Sequence, residues 1–193
     1  MKNIVGLLLA AGSARRFGSD KLQHSLPHGV SIAAQAARHL KSELDRVVAV
    51  TGPGADQLAA QLKKEGCEVT VCENAAEGMG ASLACAARAA GQADGYLVAL
   101  GDMPFVRRAS IAAVRAALAD GAALAAPYFR ARRGHPVGMA GSFYAELLRL
   151  RGDEGATRLL AAHENRLVKI PVGDPGVVRD IDTRDDLAPP QRI

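Results

Sequence analysis

Apolar positions along the chain follow two periods. Four short runs, at 4–9, 46–51, 67–72 and 96–100, are apolar or alternate apolar with polar, and each predicts a strand. Between them the apolar residues recur at helical spacing. Ile32, Ala36, Ala37 and Leu40 share one face, and so do Ala55, Leu58, Ala59 and Leu62, with Gly66 as a C-terminal cap. Met79, Leu83, Ala86, Ala87 and Ala90 form a third face; Ile111, Val114 and Leu118 form a fourth, ending at Gly121. Strands alternating with helices predict an α/β domain. Runs one, two and four are apolar throughout, as expected of parallel strands covered by helices on both faces. Run three puts Cys67, Val69 and Val71 on one side and Glu68 and Thr70 on the other, which suits an edge. The simplest order is 3-2-1-4, the first half of a Rossmann-like, doubly wound, mostly parallel sheet. Ligands bind such sheets at the carboxyl ends, where strands one and four are neighbours. The loops after residues 9 and 100 are therefore the first places to look.

The second half is less regular. It predicts a fifth strand at 122–126, a basic turn-like stretch at 127–139, helices at 142–150 and 155–163, and a late strand at 167–172. Residues 177–181 are short and apolar, and Asp182-Thr183 can start a last helical turn. No repeat or linker interrupts the chain, so residues 1–193 are read as a single domain.

Composition narrows the chemistry. A net charge of +4 suits small anions better than a nucleic acid, which needs a dense basic face. Aromatics at 4%, with no Trp, leave little to stack single-stranded bases on. Cys67, Cys72 and Cys85 form neither a disulfide framework nor a Cys-x-x-Cys pair, which points to free thiols in a reducing cytoplasm. Lys2 and the apolar run after it resemble a short signal segment. A buried first strand explains the same residues, and no stretch is long enough to span a bilayer.

The loop after the first strand reads Leu9-Ala10-Ala11-Gly12, followed by Arg16, Gly18 and Lys21. Small residues let a ligand approach the backbone, and Arg16 and Lys21 supply charge for phosphate. Gly12 and Gly18 are too far apart for a dinucleotide fingerprint, strand two ends in Thr51 instead of an acid, and no Walker lysine is present. The fourth strand runs into Asp102, placed either as a turn cap or as a metal ligand facing phosphates. Asp180 and Asp182 are two apart and point the same way from an extended segment, either to cap the last turn or to meet Asp102. Asn74, Gly78, Gly80 and Ser82 surround the start of the third helix, an ordinary helix start or a nucleotide contact.

Together these motifs resemble the molybdenum cofactor nucleotidyltransferases, and most closely the cytidylyltransferases among them. Leu-Ala-Ala-Gly with Arg16, Gly18 and Lys21 carries the likeness, and Ala11, where guanylyl-transferring members tend to have Gly, leans toward cytosine. Further motifs follow in the family's order: Glu77-Gly78-Met79-Gly80 with Ser82, Gly101-Asp102-Met103-Pro104, Gly134-His135-Pro136-Val137, and Asp180-Ile181-Asp182-Thr183. The resemblance implies a nucleotide site at Leu9, Ala10, Ala11, Gly12, Arg16, Lys21, Asn74, Gly78, Gly80, Ser82 and Asp102. It implies Mg2+ on Asp102, with Asp182 favoured as second ligand ahead of Asp180. Arg16, Lys21 and Asp102 would carry catalysis. Arg133 and His135 fall on the acceptor side, with Arg158 one place beyond the family's usual arginine, where Thr157 stands. The implied reaction transfers CMP from CTP to the terminal phosphate of molybdopterin, with a molybdenum hydroxylase as recipient of the product. A sugar-phosphate acceptor and a non-catalytic cofactor carrier are the alternatives.

Overall fold

A computed structural model describes residues 2–12 and 21–187. Among them, eight strands join one sheet. Strands β1 (Ile4–Ala10), β2 (Arg46–Thr51), β3 (Glu68–Val71) and β4 (Gly95–Leu100) run parallel in the order 3-2-1-4. β3 is the edge, with Val71 exposed on it. Beyond β4 the sheet becomes mixed. β7 (Val137–Ala140) pairs antiparallel with β4 and with β5 (Leu124–Phe129), so β5 again points the same way as β4. β8 (Leu167–Pro171) then pairs parallel with β5.

Helices cover both faces. On one, α1 (Ile32–Lys41), α2 (Asp56–Lys64) and α4 (Arg108–Ala119) pack Leu40, Leu62 and Val114 against Leu8 and Val47. On the other, α3 (Met79–Ala90), α5 (Tyr144–Leu147) and α6 (Gly155–Ala162) pack Leu83, Leu147 and Leu160 against Leu7, Val48 and Tyr96. Successive residues of β1 serve opposite cores, which is why the run is apolar at every position. Gly6 interrupts it because side chains of α1, the turn after it and β2 crowd the position: a Cβ there would meet Leu40, Leu44 and Val47 within 3.0 Å.

The stretch 127–139 departs from the turn-like expectation. β5 continues to Phe129, turns at Arg130-Ala131, and returns as β6 (Arg132–Arg133) and then β7. Both turn residues have positive φ, 47° and 64°, as a tight hairpin of the primed kind requires. The usual Asn-Gly signal is missing, and three arginines within the stretch hide its strand pattern. The fifth strand also starts later than residue 122. Of the 142–150 helix only Tyr144–Leu147 is α-helical, after a 3-10 turn at Gly141–Phe143. Residues Pro175–Val178 form a 3-10 turn, and Val177 and Ile181 are fully buried anchors for an otherwise extended tail segment.

Candidate active site

A cavity of about 550 Å³ opens at the carboxyl ends of β1, β2 and β4. β1 delivers Leu9, Ala11 and Gly12 to it, β2 delivers Gly52 and Pro53, and β4 delivers Leu100 and Asp102. Ala75, Ala76, Gly78, Met79 and Ser82, from the 3-10 turn Ala75–Glu77 and the start of α3, form another wall. Gly101 holds the loops together: its N–H donates to the Leu9 carbonyl at 2.8 Å, and a Cβ would press on Leu9 and Ala10.

Lys21 lies at the centre of the charge. Its ammonium donates to Asp102 Oδ2 at 2.9 Å and lies 3.5 Å from Asp182 Oδ1. The lysine side chain is only 11% exposed, while Asp102 and Asp182 remain 25% and 54% exposed. Asp182 gets there because the Ile181 N–H donates to the Asp102 carbonyl at 2.9 Å, stitching the tail segment to the loop after β4. The turn that follows is closed by Asp186, whose Oδ2 accepts from the Asp182 and Thr183 amides and the Thr183 hydroxyl; these bonds hold its carboxyl below the usual carboxylate range.

This donor set fits a hard divalent cation. Among the described residues no group of three or more His, Cys, Asp or Glu can cage a metal. Two accessible carboxylates on one side, with the remaining positions left to substrate oxygens and water, is the way Mg2+ is usually held. Asp180 is exposed and lies near enough to His135 to act on it electrostatically.

The expected nucleotide residues separate into two sets. Leu9, Ala11, Gly12, Lys21, Gly78, Ser82 and Asp102 line the cavity. Ala10, Asn74 and Gly80 do not. The β1 alternation turns Ala10 into the α1 side of the core. Asn74 is exposed and spends its amide on Glu77 and Cys72. Gly80 is buried under the Arg151 carbonyl, 2.6 Å from where its Cβ would be. Arg16 lies outside the described residues.

On the acceptor side, Arg133 is exposed on β6, and Arg158 is exposed on α6 away from the cavity lining. His135 is half-buried beside Val98, Leu100 and Met103, with its amide fixed by the Val177 carbonyl at 2.8 Å. Burial pushes its pKa down; the Val98 carbonyl opposes this, Arg133 adds to it, and Asp102 and Asp180 oppose it. His135 therefore acts as a neutral ring near the carboxylates.

Gly52, Pro53, Met79 and Asp153 line the cavity and were missed from sequence. For Gly52-Pro53 a signal existed, since the loop after any parallel strand faces the same end. For Asp153 the signal is spatial. The 3-10 turn Gly152–Glu154 nests against the start of α3, with Asp153 Oδ1 2.3 Å from the position of a Gly78 Cβ.

The fold is shared with known proteins. The MobA-like NTP transferase domain matches residues 6–167. The purine catabolism protein PucB of Bacillus subtilis is 29% identical over 95% of this chain and 93% of its own length. The nicotine blue oxidoreductase of Paenarthrobacter nicotinovorans is 28% identical over 95% and 94%. The crystal structure of Rv0371c from Mycobacterium tuberculosis superposes with a TM-score of 0.82 at 27% identity, covering 96% of this chain and 95% of that one. A manganese complex of Rv0371c gives 0.78 at 25%, covering 95% of both chains. With a matching domain across most of its length and the fold to go with it, the chain belongs to the MobA-like NTP transferase family.

Proposed function

We propose that this protein transfers CMP from CTP to the terminal phosphate of molybdopterin, releasing pyrophosphate with the help of a divalent metal. One observation carries the reading: Lys21 between Asp102 and Asp182 at the mouth of the cavity. A triphosphate placed there meets a fixed cation and two carboxylates able to hold a metal against its oxygens. Mg2+ on Asp102 and Asp182 would neutralise phosphate charge and polarise the α-phosphorus. An oxygen of the molybdopterin phosphate attacks that phosphorus, the bond to the bridging oxygen breaks, and pyrophosphate leaves with the electron pair. Such displacement needs positioning and charge neutralisation, not a protein nucleophile. Lys21, together with Arg16 five residues before it in sequence, stabilises charge growing on pyrophosphate. Ala11, Gly12, Gly78 and Ser82 offer the base a wall of small groups beside Leu9, and His135, Arg133 and Arg158 remain the proposed acceptor side. The manganese complex of Rv0371c supports a divalent metal.

Purified protein with Mg2+ and molybdenum cofactor is expected to release pyrophosphate fastest from CTP. Equal or faster release from GTP or UTP would sink the cytidylyl assignment. The relative named as an oxidoreductase brings a second reading, hydride chemistry on the same fold. It requires NAD(P)H oxidation by the same preparation, which absorbance at 340 nm reads directly. A sugar-phosphate acceptor or a non-catalytic carrier would show as turnover on the sugar phosphate, or as pterin binding without pyrophosphate release.

A further inference from the structure

The second carboxylate comes from the chain's end, and something must fix its distance from the first. Residues 172–182 leave β8 and cross the carboxyl edge of the sheet without regular structure beyond one 3-10 turn. At the start of this crossing is Asp174, a carboxylate only 3% exposed and far from solvent competition. Its Oδ2 accepts from the Arg107 N–H at 2.8 Å and from the Ser110 hydroxyl at 2.7 Å; its Oδ1 accepts from the Gly176 N–H at 2.9 Å. The Arg107 guanidinium is 3.7 Å away. Arg107 and Ser110 begin α4, directly after the loop that carries Asp102. Gly176 fits only because it has no side chain, since a Cβ would lie 2.1 Å from the Phe105 carbonyl.

The two carboxylate-bearing segments are thus tied at both ends. Ile181 bonds to Asp102 near the cavity, and Asp174 bonds to the start of α4 at the far end. Asp174 touches neither the cavity nor the charged cluster. A buried carboxylate is a costly tie where neutral groups would serve a merely structural contact, but it is stiff, because three donors converge on two oxygens. We infer that Asp174, supported by Ser110, is a positioning residue that sets the Asp102–Asp182 separation and so tunes how the site holds its divalent cation. This rests on the proposed role of Asp102 and Asp182 and extends it to a residue outside the site.

The test uses Asp174→Asn, which keeps the shape but replaces an acceptor with a donor, and Ser110→Ala as the milder variant. Two readouts need no turnover. Hydrogen exchange at the Ile181 amide is expected to accelerate in both variants. Manganese titration followed by electron paramagnetic resonance, with and without CTP, is expected to weaken about tenfold in Asp174→Asn, the lower range for loss of a ligand-orienting partner. Asp174→Asn added to Asp182→Asn is expected to weaken Mn2+ no further, because the first acts through the second. Wild-type Mn2+ affinity in a folded Asp174→Asn, or additivity in the double variant, would overturn the inference and leave the proposed function intact. Unchanged affinity in Asp182→Asn would overturn both. If Asp174→Asn fails to fold, the same comparisons with Ser110→Ala decide, with an effect of about threefold expected and none refuting.

Discussion

Gly80→Ala separates two reasons for the glycines at the start of α3. If Gly80 only exposed backbone amides to a nucleotide, alanine would be better: it lies inside a helix, where Ala is favoured over Gly by about 1 kcal/mol. The structure gives the opposite sign. A Gly80 Cβ would lie 2.6 Å from the Arg151 carbonyl oxygen and 2.9 Å from the Gly152 oxygen, both backbone atoms that cannot swing aside. Overpacking of this kind costs about 1–3 kcal/mol. The net expectation is a loss of about 1 kcal/mol, a fall of about 2–4 °C in Tm for a domain of this size. Gly78→Ala should be worse. Its φ of 132° and ψ of −176° are essentially reserved for glycine, at a cost of about 1–3 kcal/mol, and its Cβ would strike Asp153 and Gly152. Urea unfolding measures both. Because Asp153 lines the cavity, each variant should also raise the KM for nucleotide more than it lowers kcat. A Gly80→Ala protein as stable as wild type, or more so, would show that the 151–153 turn yields freely and that the close nesting does not constrain it.

Lys21→Met should lower turnover about 10²–10³-fold, the usual scale for one lost electrostatic donor. It should at the same time tighten Mn2+ binding without nucleotide, since Asp102 and Asp182 would face the metal without a competing ammonium; weaker binding would contradict the geometry. His135 and His39 both have pKa values pushed below the usual 6.5 by burial, so the unfolded chain takes up protons first. Stability should fall as pH drops from about 7 through 6.5 and level off below the folded-state values. Urea midpoints that stay flat over pH 7.5 to 5 would refute this, and His135→Gln should shrink the slope. Burial pushes the Cys67 thiol up to about 11, so at pH 8 a thiol reagent should label it about a hundredfold more slowly than a free cysteine, with the rate rising about tenfold per pH unit. Rapid labelling of Cys67 in the native protein would contradict its burial.

The parallel half of the fold is legible because both faces of its central strands, β1, β2 and β4, are largely buried. Val47, Val48, Ala49 and Val50 must all be apolar, and that run cannot be mistaken for a solvent-exposed element. The hairpin after β5 is not legible, because β6 is exposed, carries only Arg132 and Arg133, and turns without glycine. The site divides similarly. Lys21 and Asp102 stand in spaced motifs that follow β1 and β4, neighbouring parallel strands whose carboxyl ends share one edge of the sheet. Asp153 reaches the cavity only because Gly78 and Gly80 let a distant turn settle on them, a relation that local spacing does not encode.

Topology also explains why the second carboxylate comes last in the chain. Had the sheet continued parallel past β4, each further connection would have carried the chain away from the switch point. Antiparallel β7 lies between β4 and β5, so that the chain, after the β5–β6 hairpin, returns to pair beside β4. β8 then ends at the same edge as β1 and β4, and the crossing from Val172 to Asp182 is pinned by buried Asp174, Val177 and Ile181. The family match stops at residue 167, ahead of this crossing. The pairing of Asp182 with Asp102 therefore rests on the Ile181 hydrogen bond and on the two buried apolar side chains, Val177 and Ile181, that hold the segment against the core. Replacing Ile181 by Ala removes a fully buried side chain, at about 2–5 kcal/mol. It should loosen Asp182 while leaving Asp102 and Lys21 in place, so metal binding should suffer before the nucleotide cavity does.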